Sequence, residues 1–541
     1  MKRRALAVLL SATLIMGSFA GCNSNGGNSS GSEEVDSSSG SSEASKADVS
    51  DSGSSEEVEE TSTDTGEIVE VIWQYPTTID TTGEGFRNVE NTLNEMMERD
   101  IGVHVTFEPV GLMEAQNDAV LMISAGEQLD VMLNAFTSVG NVVSKGLIVP
   151  LDDMLDQYGQ DIIENSHTLE MCGYNGETYG ICTGDVIANE YGYMIKKIYW
   201  DKYNLAEETE FTEGKIYSIE EIEGIFETVK AGEGDNFYCD VPWNTTAEPM
   251  NNGYIEYDKI GGSLACGVLM LNRDFSDTTI YDLFETPEYE EYCKLKYDWA
   301  QKGYIAPDAA ITTEAPDAIV AQNNNLGVFY WAVPQEMINY NQTIGEELVC
   351  LDVVPRYAAF SGGSPIQWSI PITSGNPEKA VEAINYIYKN PEAAWLIQFG
   401  IEGSEYEITE TDGDNIQIEY LADDMQSLPY FNPYGIWGNT LQWPSVYPVP
   451  INQGELKQAL EDGTPDERRS PAFGYSFVQD PVATEIAAVN TVIDQYTPSL
   501  NSGALDPAQA LPEFISALKA AGMDKIVEEQ QNQFDAWLAG K

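Results

Sequence analysis

An α/β fold built on a parallel sheet is what the amino-acid sequence predicts, and three observations predict it. Strand-like and helix-like apolar periodicities alternate from residue 67 onward, glycines close two of the helical patterns, and the chain beyond that point is long enough for two domains. EIVEVIWQY, 67 to 75, alternates and is rich in β-branched residues, so it predicts a strand broken by Pro76. Phe86 to Arg99 follows as a helix with Val89, Leu93, Met96 and Met97 on one face. HVTFEPV, 104 to 110, alternates again as a second strand. AVLMISAGEQ predicts a helix ending at Gly126, LDVMLNAF a short buried strand, Val139 to Lys145 a helix closing at Gly146, and Leu151 to Leu155 the start of another. Farther on, Ser218-Ile-Glu-Glu221 is a capping box followed by Ile222, Ile225, Phe226 and Val229 on one face and stopped by Gly232. Asn376-Pro377 and Asn390-Pro391 each place a cap residue before a first-turn proline. The helices they open carry Ala380, Ile384 and Ile387, then Trp395 and Phe399, at core-facing spacing, and Phe534, Trp537 and Leu538 repeat that spacing in the last helix.

The first 66 residues obey different rules. Met1 to Arg4 are cationic, Ala5 to Met16 are apolar over a length too short to span a bilayer, and Phe19-Ala20-Gly21 offers a small-residue cleavage site, the pattern of an export signal over 1–21. SFAGC, 18 to 22, resembles the lipobox of bacterial lipoproteins, which implies a lipid on Cys22, although Phe19 stands where an aliphatic residue is usual. Residues 23 to 66 contain no aromatic residue, no Leu or Ile, and one cation, Lys46, so they have nothing to bury in return for ordering their backbone. Together with Cys22 they are expected to form a disordered acidic tether over 22–66, with a reach of about 40 Å.

A net charge of −63 argues against nucleic acid or anionic lipid as a partner, since both require basic surface, and it disfavours anionic ligands. No second apolar run reaches spanning length, which leaves the lipid as the expected anchor. Six cysteines remain after Cys22: Cys172, Cys182, Cys239, Cys266, Cys293 and Cys350. Their scattered spacing fits disulfides and buried thiols equally. With two histidines, and without CxxC, HExxH, GxGxxG or GxxxxGK[ST], neither a zinc site, a His-based triad nor a nucleotide loop is supported. TDGDN, 411 to 415, lacks the glycine and distal glutamate of a calcium loop and is expected to be a solvated turn. No cofactor and no metal is expected.

The order of short motifs resembles a family. SAGEQLDVMLNAFTSVGNVVSKGLIVPLDDML, 124 to 155, is similar to the segment of family 1 extracellular solute-binding proteins, the receptor lipoproteins of ABC importers, in which a helix and Ala-Gly-Glu/Asp precede Asp-Val and then Gly-Leu-x-x-Pro-Leu-Asp. YNGETYGI, 174 to 181, resembles their strand-leading turn, with Glu177 where Lys is commoner. GIEGSEYE, 400 to 407, and the closing run 511 to 538 are similar to the Firmicute oligosaccharide or aldouronate branch. The resemblance implies a type II periplasmic-binding-protein-like fold, with lobe 1 at 67–187 and 366–430 and lobe 2 at 188–365 and 431–541. Crossings are expected near Asp185 to Tyr191 and Gly362 to Trp368, and GGSP at 362 to 365 has the freedom a joint requires. It further implies a monomer, lipid-anchored through Cys22 on the outer face of the cytoplasmic membrane of a Gram-positive bacterium, that delivers its ligand to permease subunits without doing chemistry.

Ligand in such a fold lies between the lobes, beyond strand ends. The loop after the first strand offers Trp73 and Tyr75, and the loop after the third offers Asn134, Phe136, Thr137 and Ser138; the resemblance puts both loops in contact with sugar. It also puts Trp331 of GVFYWAVP where relatives often carry a stacking aromatic. Trp243, Trp368, Tyr434, Trp437 and Trp443 are further candidates, most of them in Pro/Gly-rich loops. Indoles cover the C–H faces of a pyranose while Asn, Thr, Asp and Gln meet its hydroxyl rim, so an oligosaccharide is the expected ligand. For each tryptophan the competing reading is a core residue, and Asp130 is expected to be a helix–strand junction residue. A peptide receptor of the same fold and a surface glycoside hydrolase are the alternative functions.

Overall fold

The computed structural model describes residues 68–541 apart from several short segments, the longest being 243–254 and 360–365. The signal, the tether and Cys22, the joint at 362–365, and the candidates Phe136 and Trp243 all lie outside the described residues. No helix among the described residues is long and apolar enough to cross a membrane.

The first lobe begins as the periodicity predicts. Strand β1 (Val69–Pro76) runs parallel to β2 (Val103–Val110) along its whole length, from Val69 opposite Val103 to Pro76 opposite Val110. Pro76 ends the strand from within, and the next donor, Thr77 N–H, continues to Val110 O at 2.9 Å. Helix α1 (Glu84–Ile101) connects them and stops at Gly102, whose φ of 65° is a left-handed cap that glycine adopts without a Cβ penalty. Helix α2 (Ala115–Ala125) leads to β3 (Met132–Ala135), and helix α3 (Val139–Ser144) follows it. Val131 bridges Trp73 in parallel, so β2, β1 and β3 make the expected parallel layer. Beyond β3 the sheet is mixed. The strand Ile366–Ser369 pairs antiparallel with β3 on one side and with Ile181–Cys182 on the other, because it enters from the second lobe in the opposite direction.

Asp130, at the mouth of β3, is fully buried. Its Oδ2 accepts from Ile72 N–H at 2.9 Å and Gln128 Nε2 at 2.8 Å, and its Oδ1 from Ser374 Oγ at 2.6 Å and Gly375 N–H at 2.9 Å. These four donors tie β1, β3 and the start of the helix Pro377–Lys389 to one carboxylate, the junction role expected of it. Asn376 and Asn390 stand at the N-caps of Pro377–Lys389 and Pro391–Phe399, but neither side chain caps. Asn390 instead donates from Nδ2 to Tyr386 Oη at 3.1 Å.

In the second lobe the central strand Tyr191–Lys196 lies antiparallel between Gly327–Trp331 and Leu348–Asp352. The Ser218–Glu221 capping box is formed, and its helix runs one residue past the expected stop, to Glu233; Gly232 is needed there because a Cβ would collide with the Tyr203 ring. Three helices, Ala483–Asn501, Pro507–Ala521 and Met523–Gly540, close the lobe, with Phe514, Ile526 and Phe534 completely buried and Trp537 and Leu538 packed partly against the same core. The six cysteines described are free thiols. TDGDN is a hairpin turn, with Asp412 paired to Asn415, as expected.

The two largest hydrophobic clusters among the described residues are separate. One gathers Val71, Trp73, Leu93, Ile384 and Trp437; the other gathers Cys266, Phe284, Tyr475 and Phe534. Tyr434, Ile436 and Trp437 belong to the first, so the returning segment of lobe 1 extends beyond residue 430. The chain passes between the cores three times, and at the passage Met171, Ile187, Ala358 and Phe473 form a small cluster of their own. Ala188–Asn189 pairs antiparallel with Tyr357–Ala358, and Ala358 bridges Arg469. Glu461 Oε2 accepts from the backbone N–H groups of Ile187 at 2.9 Å and Ala188 at 3.0 Å, and Asp185–Lys457 (3.1 Å) and Glu190–Arg356 (3.0 Å) flank them. Several short ribbons held by side-chain caps allow bending where one wide sheet would resist it.

Candidate functional site

The crossings define which strand ends face each other. Tyr191 begins its strand directly after the first crossing, and Trp331 is its antiparallel partner, so Trp331 stands at the end of the second-lobe sheet nearest the first lobe. Ile366–Ser369 begins directly after the second crossing, and its Gln367 sits opposite Asn134 of β3, at the end of the first-lobe sheet nearest the second. Trp331 is half-buried beside Tyr191, with ring centroids 6.1 Å apart.

Some of the unpaired buried polar atoms, which occur in both lobes, lie at these ends. Asn134 is fully buried, and both its Oδ1 and its Nδ2 lack a hydrogen-bond partner among the described residues; the same holds for Gln367 Oε1 and Trp331 Nε1. A buried donor or acceptor left unmade costs about 1–3 kcal/mol, so such a group marks a place where a ligand or ordered water completes the structure. Alternation along the strands explains the placement. Leu133 and Trp368 turn into the first core while Asn134 and Gln367 turn to the opposite face of the sheet. Gln367 was missing from the sequence-based candidates. The signal for it was present in IQWS, where a polar residue alternates with a core indole.

The loop that follows β3 is engaged with the second lobe. Ser138 Oγ donates to Phe477 O at 2.5 Å, Gly140 N–H to Ser476 Oγ at 2.8 Å, and Gln479 N–H to Asn141 Oδ1 at 2.7 Å. Ser138 therefore spends its only donor on the seam between the lobes and retains acceptor capacity alone. Thr137 is half-buried, its Oγ1 3.5 Å from Asn141 Nδ2.

Four expected ligand aromatics are scaffold instead. Trp73, Tyr75, Trp368 and Trp437 pack on one another inside the first core: Trp73 meets Trp368 edge-on at 5.4 Å, Trp368 meets Trp437 at 4.8 Å, and Tyr75 stacks on Trp437 at 5.6 Å. Their ring contacts are with first-lobe residues, so separating the lobes leaves them covered. The physical reason is β1's alternation, which sends Val71, Trp73 and Tyr75 together toward α1 and the helices Pro377–Lys389 and Pro391–Phe399. Trp368 Nε1 donates to Ile436 O at 3.1 Å. The Tyr75 hydroxyl lies 2.6 Å from that of Tyr430 and accepts from Asn432 Nδ2 at 3.0 Å, and burial pushes its pKa well above the usual phenol range. The Trp73 and Trp437 indole N–H groups lack an acceptor among the described residues. Tyr434 is buried in the same core, and Trp443 is half-buried against Phe399 at 5.5 Å while donating to Trp437 O at 3.2 Å.

The groups brought to the facing ends, Asn134, Thr137, Gln367 and Trp331, are all neutral. Among the described residues no three His, Cys, Asp or Glu side chains converge to hold a metal ion. Neutral donors and acceptors beside one half-exposed indole suit a neutral, hydroxyl-rich, ring-bearing molecule.

Residues 471–539 match a family model described as a domain of unknown function, DUF3502. A carbohydrate ABC transporter substrate-binding protein of Streptococcus pneumoniae serotype 4 is 22% identical over 463 residues, covering 83% of this chain and 87% of that protein. The crystal structure of an N-glycan transport solute-binding protein from Streptococcus pneumoniae superposes with a TM-score of 0.69 at 20% identity, covering 87% of this chain and 99% of that one. The same protein in complex with Man5GlcNAc gives 0.59, at 20% identity and with 88% and 99% covered. A human-milk-oligosaccharide-binding solute-binding protein from Bifidobacterium longum infantis gives 0.55 at 13% identity, with 87% and 99% covered. The fold is thus the two-lobed α/β architecture of the solute-binding proteins.

Proposed function

We propose that this protein is the solute-binding component of a carbohydrate ABC importer, a non-enzymatic receptor that captures a neutral oligosaccharide between its lobes and passes it to permease subunits. The observation that supports this reading is that Asn134 and Gln367 in one lobe and Trp331 in the other carry unpaired neutral polar atoms on strands that adjoin the passages between the lobes. Sugar hydroxyls would complete those groups, and Trp331 would cover a pyranose face. The contact set is Asn134, Thr137, Gln367 and Trp331, with Ser138 reduced to an acceptor.

Lobe closure is the signal a permease would read. Its energy is the difference in affinity between the open and closed arrangements, since a ligand binding both equally shifts nothing. A net charge of −63 favours neutral glycans over uronate polymers. The export pattern and Cys22 place the receptor on the outer face of the cytoplasmic membrane, held by lipid through an acidic tether and working as a monomer.

The test is a thermal-shift and calorimetry screen of high-mannose N-glycan fragments, human milk oligosaccharides and fructo-oligosaccharides, with alginate oligomers and short peptides as contrasts. A true ligand at about 100 times its Kd adds about 2.7 kcal/mol of stability. Binding confined to peptides would overturn the sugar reading, and hydrolysis of a bound glycan would overturn the receptor reading.

A further inference from the structure

A separate concavity of 780 Å³ opens on the second lobe, between the segment Ile280–Glu288, one face of the C-terminal helix Met523–Gly540, and Arg273. Five carboxylates line it: Asp282, Glu285, Glu288, Asp524 and Glu528. Two of them are already matched. Arg273 clasps Glu288 through Nε at 2.7 Å and Nη2 at 2.6 Å while lying over the Tyr281 ring, and Lys519 reaches Glu285 at 2.6 Å. Asp282, Asp524 and Glu528 make no ion pair among the described residues, and the nearby Lys519 charge that the two aspartates feel is already paired with Glu285.

Asp282 is the unusual member. It is 9% exposed, its Oδ1 accepts from Phe284 N–H at 3.0 Å, and its Oδ2 has no hydrogen-bond partner among the described residues. Burying a carboxylate with half its hydrogen-bonding capacity unused is costly unless something supplies the missing charge and donor. Around it, Ile280, Tyr281, Pro287 and Val527 give the concavity apolar and aromatic walls.

We propose that this pocket binds an organic cation, a guanidinium or ammonium head on a short apolar stem, with Asp282 as its anchoring carboxylate. A bare metal ion is the poorer match, because among the described residues the acids do not converge on one point as a metal site requires. A planar guanidinium or an extended diamine spreads its N–H donors over several ångströms, which suits acids placed along opposite walls, and its stem finds the Tyr281 and Val527 surfaces. The electrostatics agree with the geometry. Burial holds the Asp282 carboxyl up at about 7, Glu285 and Asp524 push it the same way, and Lys519 opposes them. A cation seated there would favour the ionised form, so uptake near neutral pH is accompanied by proton release.

Two sources carry this chemistry, a free polyamine and an arginine side chain of another protein. Calorimetry of the full chain at low salt with spermidine and with argininamide separates them. Saturable binding of either is expected, with the heat varying with the buffer's ionisation enthalpy as protons leave Asp282. Asp282→Asn, which keeps an acceptor for Phe284 N–H, is expected to weaken binding about tenfold. Glu528→Gln, on an exposed position, weakens it about threefold and guards against a folding defect at 282. Sugar affinity, measured in the same variants, is expected to stay unchanged because only second-lobe residues line the pocket. Absence of saturable binding for both probes, or binding that neither substitution weakens, overturns the proposal without touching the receptor reading.

Discussion

The aromatic layer of the first lobe and the facing strand ends are built from the same residue types, yet one is closed and the other unfinished. In the layer, Trp73, Tyr75, Trp368 and Trp437 enclose one another at centroid separations between 4.8 and 5.7 Å, covered by helices. At the facing ends, Trp331 is half-exposed, and it shares with Asn134 and Gln367 a deficit of hydrogen bonds. An indole surrounded by indoles stabilises a lobe, whereas an indole beside unpaired amides at a lobe's edge has surface left for a ligand. Aromatic content alone therefore does not separate scaffold from site, and neither does an unpaired indole N–H, which Trp73 and Trp437 share with Trp331; exposure of the ring and position relative to the crossings do.

Substitution can break this contrast. Trp437→Ala should open a cavity in the layer and lower stability by about 3–5 kcal/mol in urea titration, with sugar affinity of the remaining folded protein changed little. Trp331→Ala should show the reverse, leaving the urea midpoint close to that of the parent while weakening sugar binding at least about tenfold in calorimetry. If Trp437→Ala instead abolishes sugar binding with its stability intact, the division between the two regions is wrong. Asn134→Ala sharpens the comparison further, because removing an unpaired buried amide relieves desolvation. Stability should hold or rise by about 1 kcal/mol while affinity falls.

The seam between the regions gives a smaller effect. Ser476→Ala removes the acceptor of Gly140 N–H and leaves that donor without its partner, at a cost of about 1 kcal/mol. It should shift the lobe equilibrium, read as a changed radius of gyration in X-ray scattering and a severalfold change in apparent Kd. The pH response of Asp282 tests the second lobe separately. Its folded pKa of about 7 lies above the ordinary 3.8, so the carboxyl contributes fully below the lower value and loses that contribution as pH rises through about 7. The melting temperature of Asp282→Asn should accordingly gain on the parent between about pH 4 and about pH 7 and level off above that, and a gap constant with pH would contradict the assignment.

Much of the fold was legible because its signals are local. β1, α1, β2 and α3 lie within a residue or two of where apolar periodicity and glycine caps place them, α2 starts four residues before the expected run and β3 three residues after its expected start, and the Ser218–Glu221 box caps its helix as written. The mixed character of the sheet was not legible. Ile366–Ser369 inserts beside β3 from more than two hundred residues away, and nothing in either strand records the other's direction. The candidate site was only half legible for a related reason. Asn134, Thr137 and Trp331 stand near the crossings, but Trp73 and Trp368 look the same in sequence while facing the core, and Gln367 is hidden beside Trp368.

By itself, the sequence determined the elements, their caps, the acidic character and the export pattern, because each depends on residues within a few turns of one another. Only the tertiary structure decided which side of each strand meets a neighbour, which amides are left without partners, and that acids from 282 and from 524 to 528 share one concavity. Those outcomes depend on where distant segments meet, and a contact between two segments is a property of neither one alone.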